Sequence, residues 1–420
     1  MKLSFLGACR EVGRSAVFLE TEKGVRLLLD SGVKVHDHYE THLQPPAPPH
    51  AVVVSHAHLD HSGGAPITAK KLHAPFFATF PTIPLSALLY EDSIKIARQE
   101  GFSLPFGATD LHRLDRLFYP LPYEQPYEFH DGTTLELLDA GHIVGSAMPV
   151  VRERSGRSLL YTGDFKTLPT RMHNGCSYPE EPVNTLVIES SYADREQEPR
   201  AQLEQDFVED VRGVLEEDGV ALVPCFAIGR TQEILQVLHK ANLHAPIYTQ
   251  GMGEKASQIF SEYSSYVRDP KALNAALAAA KPVAGRSKRR ILQGPSVIVC
   301  TAGMLDGGPA LEYLAKLNES GHGAVLLTGY QVEGTNGRRL IETSCVRYKG
   351  RLLKITLPMK WRSFSAHSSK SELFSFVKGI NPEKVFCVHG DDKVCQSFAA
   401  ELNEQGFEAA APEAGQKFEV

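Results

Sequence analysis

Within six positions the chain places three imidazoles and a carboxylate, in the stretch Ser55-His56-Ala57-His58-Leu59-Asp60-His61. Imidazole nitrogen and carboxylate oxygen are donors that zinc accepts, and one tetrahedral ion that keeps a position open for water has no room for all four. The spacing suits two ions, with His56 and His58 on one and Asp60 and His61 on the other. Such a cluster supports metal-assisted hydrolysis, in which dications activate water and neutralise developing charge. A histidine-rich surface turn is the plain alternative. Against it, the run Ala51-Val52-Val53-Val54 precedes the cluster and Ser62-Gly63-Gly64 follows it, so the donors sit where a buried strand ends.

Two further segments have the same form. Residues 135–139 read as a strand that runs into Ala140-Gly141-His142, and residues 158–162 as a strand that ends at Gly163-Asp164. One histidine at a strand end is ordinarily a packed or exposed residue. Three strands each delivering a metal-type donor beside glycine describe a site built along one sheet edge. Asp30, which closes the strand at residues 25–29 ahead of Ser31-Gly32, has two open readings: support behind the donors, or an Asx turn. Toward the C-terminus, His367 in Ser365-Ala366-His367-Ser368-Ser369 and His389 in Val388-His389-Gly390-Asp391 again fall at segment ends.

The elements that position these residues follow from pattern and composition. With 420 residues, the chain is expected to form two domains, or one domain with a large insertion. Short strands at residues 2–6, 16–20 and 25–29, separated by Gly7, Gly13 and Gly24, predict an antiparallel meander at the start. From about residue 199 helical segments alternate with short apolar strands near 220–223, 246–248, 296–300 and 323–328, the pattern of a parallel α/β unit. Strand-like sequence returns near residues 351–355. The one dense basic run, Arg286-Ser287-Lys288-Arg289-Arg290, reads as a solvated loop and only weakly as a nucleic-acid contact.

Apolar content of 42% and charged content of 22% are those of a soluble globular protein, and no apolar run approaches the ~18 residues of a membrane span. The first residues enter strand-like sequence without the apolar core of a signal peptide, so a cytoplasmic location is expected. Seven cysteines without a Cys-x-x-Cys pair predict reduced thiols and argue against a thiolate zinc site. The net charge of −6 lends no support to nucleic-acid binding and leaves a local basic groove open.

In order, His56, His58, Asp60, His61, His142, Asp164 and His389 resemble the signature of the metallo-β-lactamase superfamily. Glu189-Ser190-Ser191-Tyr192, Phe364-Ser365-Ala366-His367-Ser368 and Val388-His389-Gly390-Asp391 resemble the three added motifs of its β-CASP branch. The stretches at 223–233, 302–309 and 329–338 are similar to cap sequences of the endonuclease subunit of the cleavage and polyadenylation specificity factor and its archaeal and bacterial homologues. This resemblance covers essentially the whole chain. It implies an α/β fold, a metallo-β-lactamase αββα sandwich (residues 1–195 and 351–420) with an inserted α/β β-CASP cap domain (196–350).

Carried over by position, the resemblance implies two Zn2+ per chain, one held by His56, His58 and His142, the other by Asp60, His61 and His389, with Asp164 between them. His367 is the implied proton donor to the leaving oxygen, with Glu189 holding its ring; Asp60 counts with the catalytic residues as well as the ligands. Ser368, Ser369, Arg338, Lys360 and Arg362 lie in or near matched motifs and are candidates for phosphate contact. The implied activity is hydrolysis of single-stranded RNA, as an endonuclease with 5′→3′ exonuclease action as a further mode, and His389 favours RNA over the DNA-processing branch. With no RNA-binding module before residue 1 or after Val420, substrate binding is expected to fall to the catalytic body or a partner. Expected partners are RNA, no membrane, and a second copy or the subunits of an RNA-processing complex. Two other classes stay in view: a small-molecule metallohydrolase of thioesterase or lactonase type, and an inert scaffold subunit, whose usual mark is the loss of several ligands. Where the first β-CASP motif more usually has Thr and Gly, this chain has Ser191 and Ala193, which puts the backbone of that loop in question.

Overall fold

The computed structural model describes residues 1–35, 39–283 and 290–420, so residues 286–289 of the basic run lie outside the described residues. The chain divides into two compact units. One comprises Met1–Pro169, Asn174–Glu196 and Ala366–Val420; the other comprises Thr170–His173 and Gln197–Ser365.

The first unit is built on two seven-stranded sheets. One runs in the order Lys417–Glu419, Lys2–Gly7, Ala16–Glu20, Arg26–Leu29, Ala51–Val53, Phe76–Ala78, Phe118–Pro120. The other runs Glu408–Ala410, Lys384–Val388, Thr185–Glu189, Ser158–Tyr161, Ala147–Arg152, Thr134–Asp139, Tyr127–Glu128. Side chains alternate across a strand, and that period assigns the faces. Leu27, Leu29, Val53 and Phe77 of the first sheet meet Leu135, Leu137, Leu159, Val187 and Phe386 of the second in one buried cluster. Their neighbours Leu28, Val52 and Phe76 turn outward against Ala65, Ala69, Tyr90 and Leu114 of the covering helices. Leu160, Leu186 and Val385 turn outward against Leu373, Phe376, Phe398 and Leu402. Helix, sheet, sheet, helix is therefore the layering, as the family resemblance implies. The opening meander is antiparallel over its first three strands, after which Arg26–Leu29 pairs in parallel with Ala51–Val53.

The second unit holds a six-stranded sheet, all of its pairings parallel, in the order Lys281–Pro282, Ile247–Gln250, Ser296–Cys300, Val220–Pro224, Gly323–Leu327, Met359–Trp361. Helices such as Arg230–Lys240 and Gly308–Ser320 connect these strands, and an apolar cluster covers each face. The unit extends to Ser365, past residue 350, because Met359–Trp361 adds to the sheet beside Gly323–Leu327. The strand-like residues 351–354 form a hairpin with Cys345–Tyr348. A hairpin strand and a strand that rejoins a different domain look alike in sequence, so composition does not place this boundary. Among the described residues no helix is long and apolar enough to cross a membrane.

Candidate metal centre

The strand Ala51–Val53 delivers Ser55 and His56 at its end, and the single helical turn Leu59–Ser62 follows, with His61 N–H and Ser62 N–H both donating to the His58 carbonyl at 3.0 and 2.8 Å. This turn packs so closely on the preceding loop that a Cβ at Gly32 would lie 1.7 Å from the Asp60 carbonyl oxygen. Glycine is required there by space. At the end of Ser158–Tyr161, Gly163 takes φ +51° immediately before Asp164, and a Cβ on it would meet Ser55 Oγ at 2.8 Å. In the loop after Thr134–Asp139, Ser146 Oγ accepts from His142 N–H at 3.1 Å and Asp139 Oδ1 accepts from Gly141 N–H at 2.8 Å. His389 itself has φ +51° and is held by its N–H to the Ala8 carbonyl at 2.7 Å.

These loops bring seven donors together in two groups that share one carboxylate. Nitrogen and oxygen atoms of His56, His58, His142 and Asp164 lie within 4.8 Å of one another, and so do those of Asp60, His61, Asp164 and His389. In the first group His58 Nδ1 is 3.2 Å from both His56 Nε2 and His142 Nε2, and Asp164 Oδ2 is 3.5 Å from His56 Nε2. In the second, Asp164 Oδ1 is 3.2 Å from His61 Nε2 and 3.5 Å from His389 Nε2, and Asp60 Oδ2 is 3.7 Å from His389 Nε2. Donors around a tetrahedral zinc at about 2.0–2.1 Å are about 3.3–3.4 Å apart, so the spacing fits a small dication. Asp164 Oδ1 points the same way: it is buried without a hydrogen bond of good geometry and faces the ring nitrogens of His61 and His389, a setting that a shared cation completes.

The outward nitrogens have partners that fix which nitrogen faces the centre. His142 Nδ1 lies 2.9 Å from the Ala366 carbonyl, an acceptor, so Nε2 carries the lone pair inward. His389 Nδ1 meets Ser15 Oγ at 3.0 Å. His61 Nδ1 lies 2.6 Å from Asp30 Oδ2, and Asp30 also accepts from Ser55 N–H at 2.7 Å and from the Tyr161 hydroxyl at 2.8 Å. Of the two open readings of Asp30, the geometry selects support behind the donors.

Burial pushes His56, His58 and His142 down from the ordinary imidazole value, which keeps them in the neutral form that binds metal. Burial works against the charge of Asp164, but His61, His389 and His367 hold its carboxyl well below the usual range. His61 is also desolvated, yet Asp164 and Asp30 raise it well above the ordinary value. A proton or a cation between His61 Nε2 and Asp164 Oδ1 satisfies both. His56, His61, His142, Asp164 and His389 are buried, while His58 and Asp60 are partly exposed and form the accessible edge.

His367 lies on that edge, its ring centroid 4.7 Å from that of His142 and its side chain 23% exposed. Its Nδ1 is 3.0 Å from both Glu189 oxygens, and Glu189 Oε1 accepts from Phe165 N–H at 3.0 Å. Burial opposes a charge on His367, but Glu189 and Asp164 raise it to about 9. The loop after Glu189 keeps its turn, with Ala193 N–H on the Ser190 carbonyl at 3.2 Å and no positive φ at Ala193, so alanine is unstrained there.

The candidate phosphate contacts are placed differently. Ser368 and Ser369 are buried and engaged inside the first unit, Ser368 Oγ on the Phe165 carbonyl at 3.2 Å and Ser369 Oγ on Glu372 at 3.2 Å. The cations belong to the second unit and carry carboxylate partners. Arg338 pairs with Glu342 at 2.6 Å, Lys360 with Asp210 at 3.8 Å, and Arg362 with Asp210 and Asp206 at 2.8 and 3.2 Å. Ser15, Tyr161 and the Ala366 carbonyl escape sequence reasoning, since no local spacing marks a residue whose role is to touch a histidine far away in the chain.

Three family models match: the metallo-β-lactamase superfamily over residues 9–176, the β-CASP domain over 231–340, and the Zn-dependent metallo-hydrolase RNA specificity domain over 354–412. The chain is 35% identical to the probable RNase MJ4 of Methanocaldococcus jannaschii, with all of both chains covered. It is 32% identical to the RNase aCSPSF2 of Saccharolobus solfataricus, covering all of this chain and 85% of that protein. The transcription termination factor FttA of Methanocaldococcus jannaschii is 32% identical over 95% of this chain and 68% of its own length. In fold alone, a protein of unknown function from Enterococcus faecalis is similar, at 15% identity, 99% coverage of both chains and a TM-score of 0.62.

Proposed function

We propose, from the premise that this chain belongs to the β-CASP branch of the metallo-β-lactamase superfamily, that it is a zinc-dependent ribonuclease hydrolysing phosphodiester bonds of single-stranded RNA in RNA processing or decay. The observation that carries this reading is the pair of nitrogen and oxygen donor groups sharing Asp164, in a chain whose residues 354–412 match an RNA specificity domain. That match weighs against a thioesterase or lactonase, and the full set of seven donors weighs against an inert scaffold.

In this reading His56, His58 and His142 hold one zinc, Asp60, His61 and His389 hold the second, and Asp164 serves both. When bound, the ions neutralise charge on the phosphate and lower the pKa of the attacking water. His367 donates a proton to the leaving oxygen, and the Glu189 carboxylate against Nδ1 fixes the ring so that Nε2 carries the donated proton. Asp30 holds the imidazole of His61 in the tautomer that leaves Nε2 unprotonated, and Ser15 at Nδ1 holds the His389 ring in place.

The test is incubation of the zinc-loaded protein with RNAs labelled at either end and with a circular RNA. Cutting of the circle demonstrates endonuclease action; cutting of linear RNA alone, with mononucleotides released from the 5′ end, assigns an exonuclease; no cleavage of any RNA rejects the reading. Two ligand-level results are also expected. His389→Ala weakens the second zinc while the first stays bound, measured as metal content after dialysis against a graded chelator. Asp30→Asn, which replaces an acceptor of four hydrogen bonds with an amide, lowers zinc affinity by about 10–100-fold with the donor set unchanged, read by competition with a chromogenic chelator.

A further inference from the structure

His367 and Asp164 sit on segments more than 200 residues apart in sequence, and their relative placement must be held against thermal motion for a proton to reach the leaving oxygen. The structure contains the device that holds them. The segment after Asp164 and the segment after His367 lie alongside one another, with Ser368 N–H on the Phe165 carbonyl at 2.9 Å and Thr167 N–H on Ser368 Oγ at 3.1 Å. Behind this zip lies an ion pair. Lys166 Nζ meets Glu372 Oε1 at 2.8 Å, with the two side chains only 6% and 10% exposed. Glu372 Oε2 accepts from Thr167 Oγ1 at 2.7 Å, and Oε1 also accepts from Ser369 Oγ at 3.2 Å. One carboxylate thus receives donors from both segments. Glu372 stands in the first turn of the helix Lys370–Ile380, where a negative charge also complements the helix dipole.

We propose that Glu372, paired with Lys166 and bridged through Thr167, Ser368 and Ser369, is a positioning residue that sets His367 against Asp164. Ser368 and Ser369 then act inside the protein rather than on phosphate, in keeping with their burial. The proposal rests on the reading of His367 as proton donor. Direction is what the pair supplies: a carboxylate with three donors in fixed places tolerates one arrangement of the two segments, whereas an apolar contact of equal volume tolerates several.

The test compares RNA with bis(p-nitrophenyl) phosphate, whose leaving group departs without a proton donor. Glu372→Gln and the milder Thr167→Val are expected to lower kcat on RNA by about tenfold to a hundredfold for the first and less for the second, with KM and zinc content unchanged. Hydrolysis of bis(p-nitrophenyl) phosphate stays within about twofold of wild type, because the metal-holding residues are untouched. The double variant Lys166→Met with Glu372→Leu removes both charges and is expected to recover thermal stability but not RNA cleavage. Recovery of both in the double variant, or equal loss on the two substrates in Glu372→Gln and Thr167→Val, overturns the positioning role. His367→Ala is run in parallel. If it shows the selective loss and the Glu372 and Thr167 variants do not, the positioning proposal fails alone; if His367→Ala loses both substrates equally, the proton-donor reading fails and takes the positioning proposal with it.

Discussion

Asp164→Ala is expected to lower RNA cleavage by about three to four orders of magnitude or more, the several kcal/mol of dication catalysis at roughly 1.4 kcal/mol per factor of ten. The cause is positional. Oδ2 faces His56 and His142 while Oδ1 faces His61 and His389, so this one side chain belongs to both donor groups. Losing any other donor leaves one group complete. The fold is expected to persist, because Asp164 follows the end of Ser158–Tyr161 and its carboxylate faces the histidines of the two donor groups and not the strand framework. Elemental analysis together with far-UV circular dichroism checks both halves: zinc content falls sharply while the spectrum keeps its wild-type form. A variant that retains two zinc ions and wild-type activity refutes the sharing of Asp164 between the ions.

His367→Ala is expected to reduce cleavage by about two to four orders of magnitude, the usual range for loss of a general acid, with zinc content unchanged. His367 lies outside the two groups of four donors; it forms a close set with Asp164 and Glu189, in which its Nδ1 is occupied by Glu189. Metal binding and catalysis therefore separate in this variant, as they do not in Asp164→Ala. An RNA-like substrate with a better leaving group recovers part of the lost rate in His367→Ala and little in Asp164→Ala, since only the first lacks a proton donor alone. Zinc loss in His367→Ala, or failure of the selective recovery, removes the proton-donor role.

The sequence by itself determined the donor types, their order and their location at strand ends, because metal chemistry needs particular side chains and buried strands are written in local apolar runs. His56, His58 and His61 are within reach of one another through the turn that holds them, and glycine neighbours announce the turn. The αββα layering came with the resemblance carried by those donors and the later motifs, and the alternation of buried residues along each strand in the structure accords with it. Tertiary structure alone decided what lies between distant segments. Asp30 has two open readings in the sequence, and Tyr161, more than a hundred residues away, decides between them by donating to it beside His61. Ser368 and Ser369 look like phosphate contacts in a motif and are buried ones in space, because Thr167 and Glu372 claim them. The strand Met359–Trp361 joins the second unit's sheet by pairing with residues over thirty positions earlier. In each case the deciding partner is fixed by packing of the whole chain, and no local period or spacing encodes it.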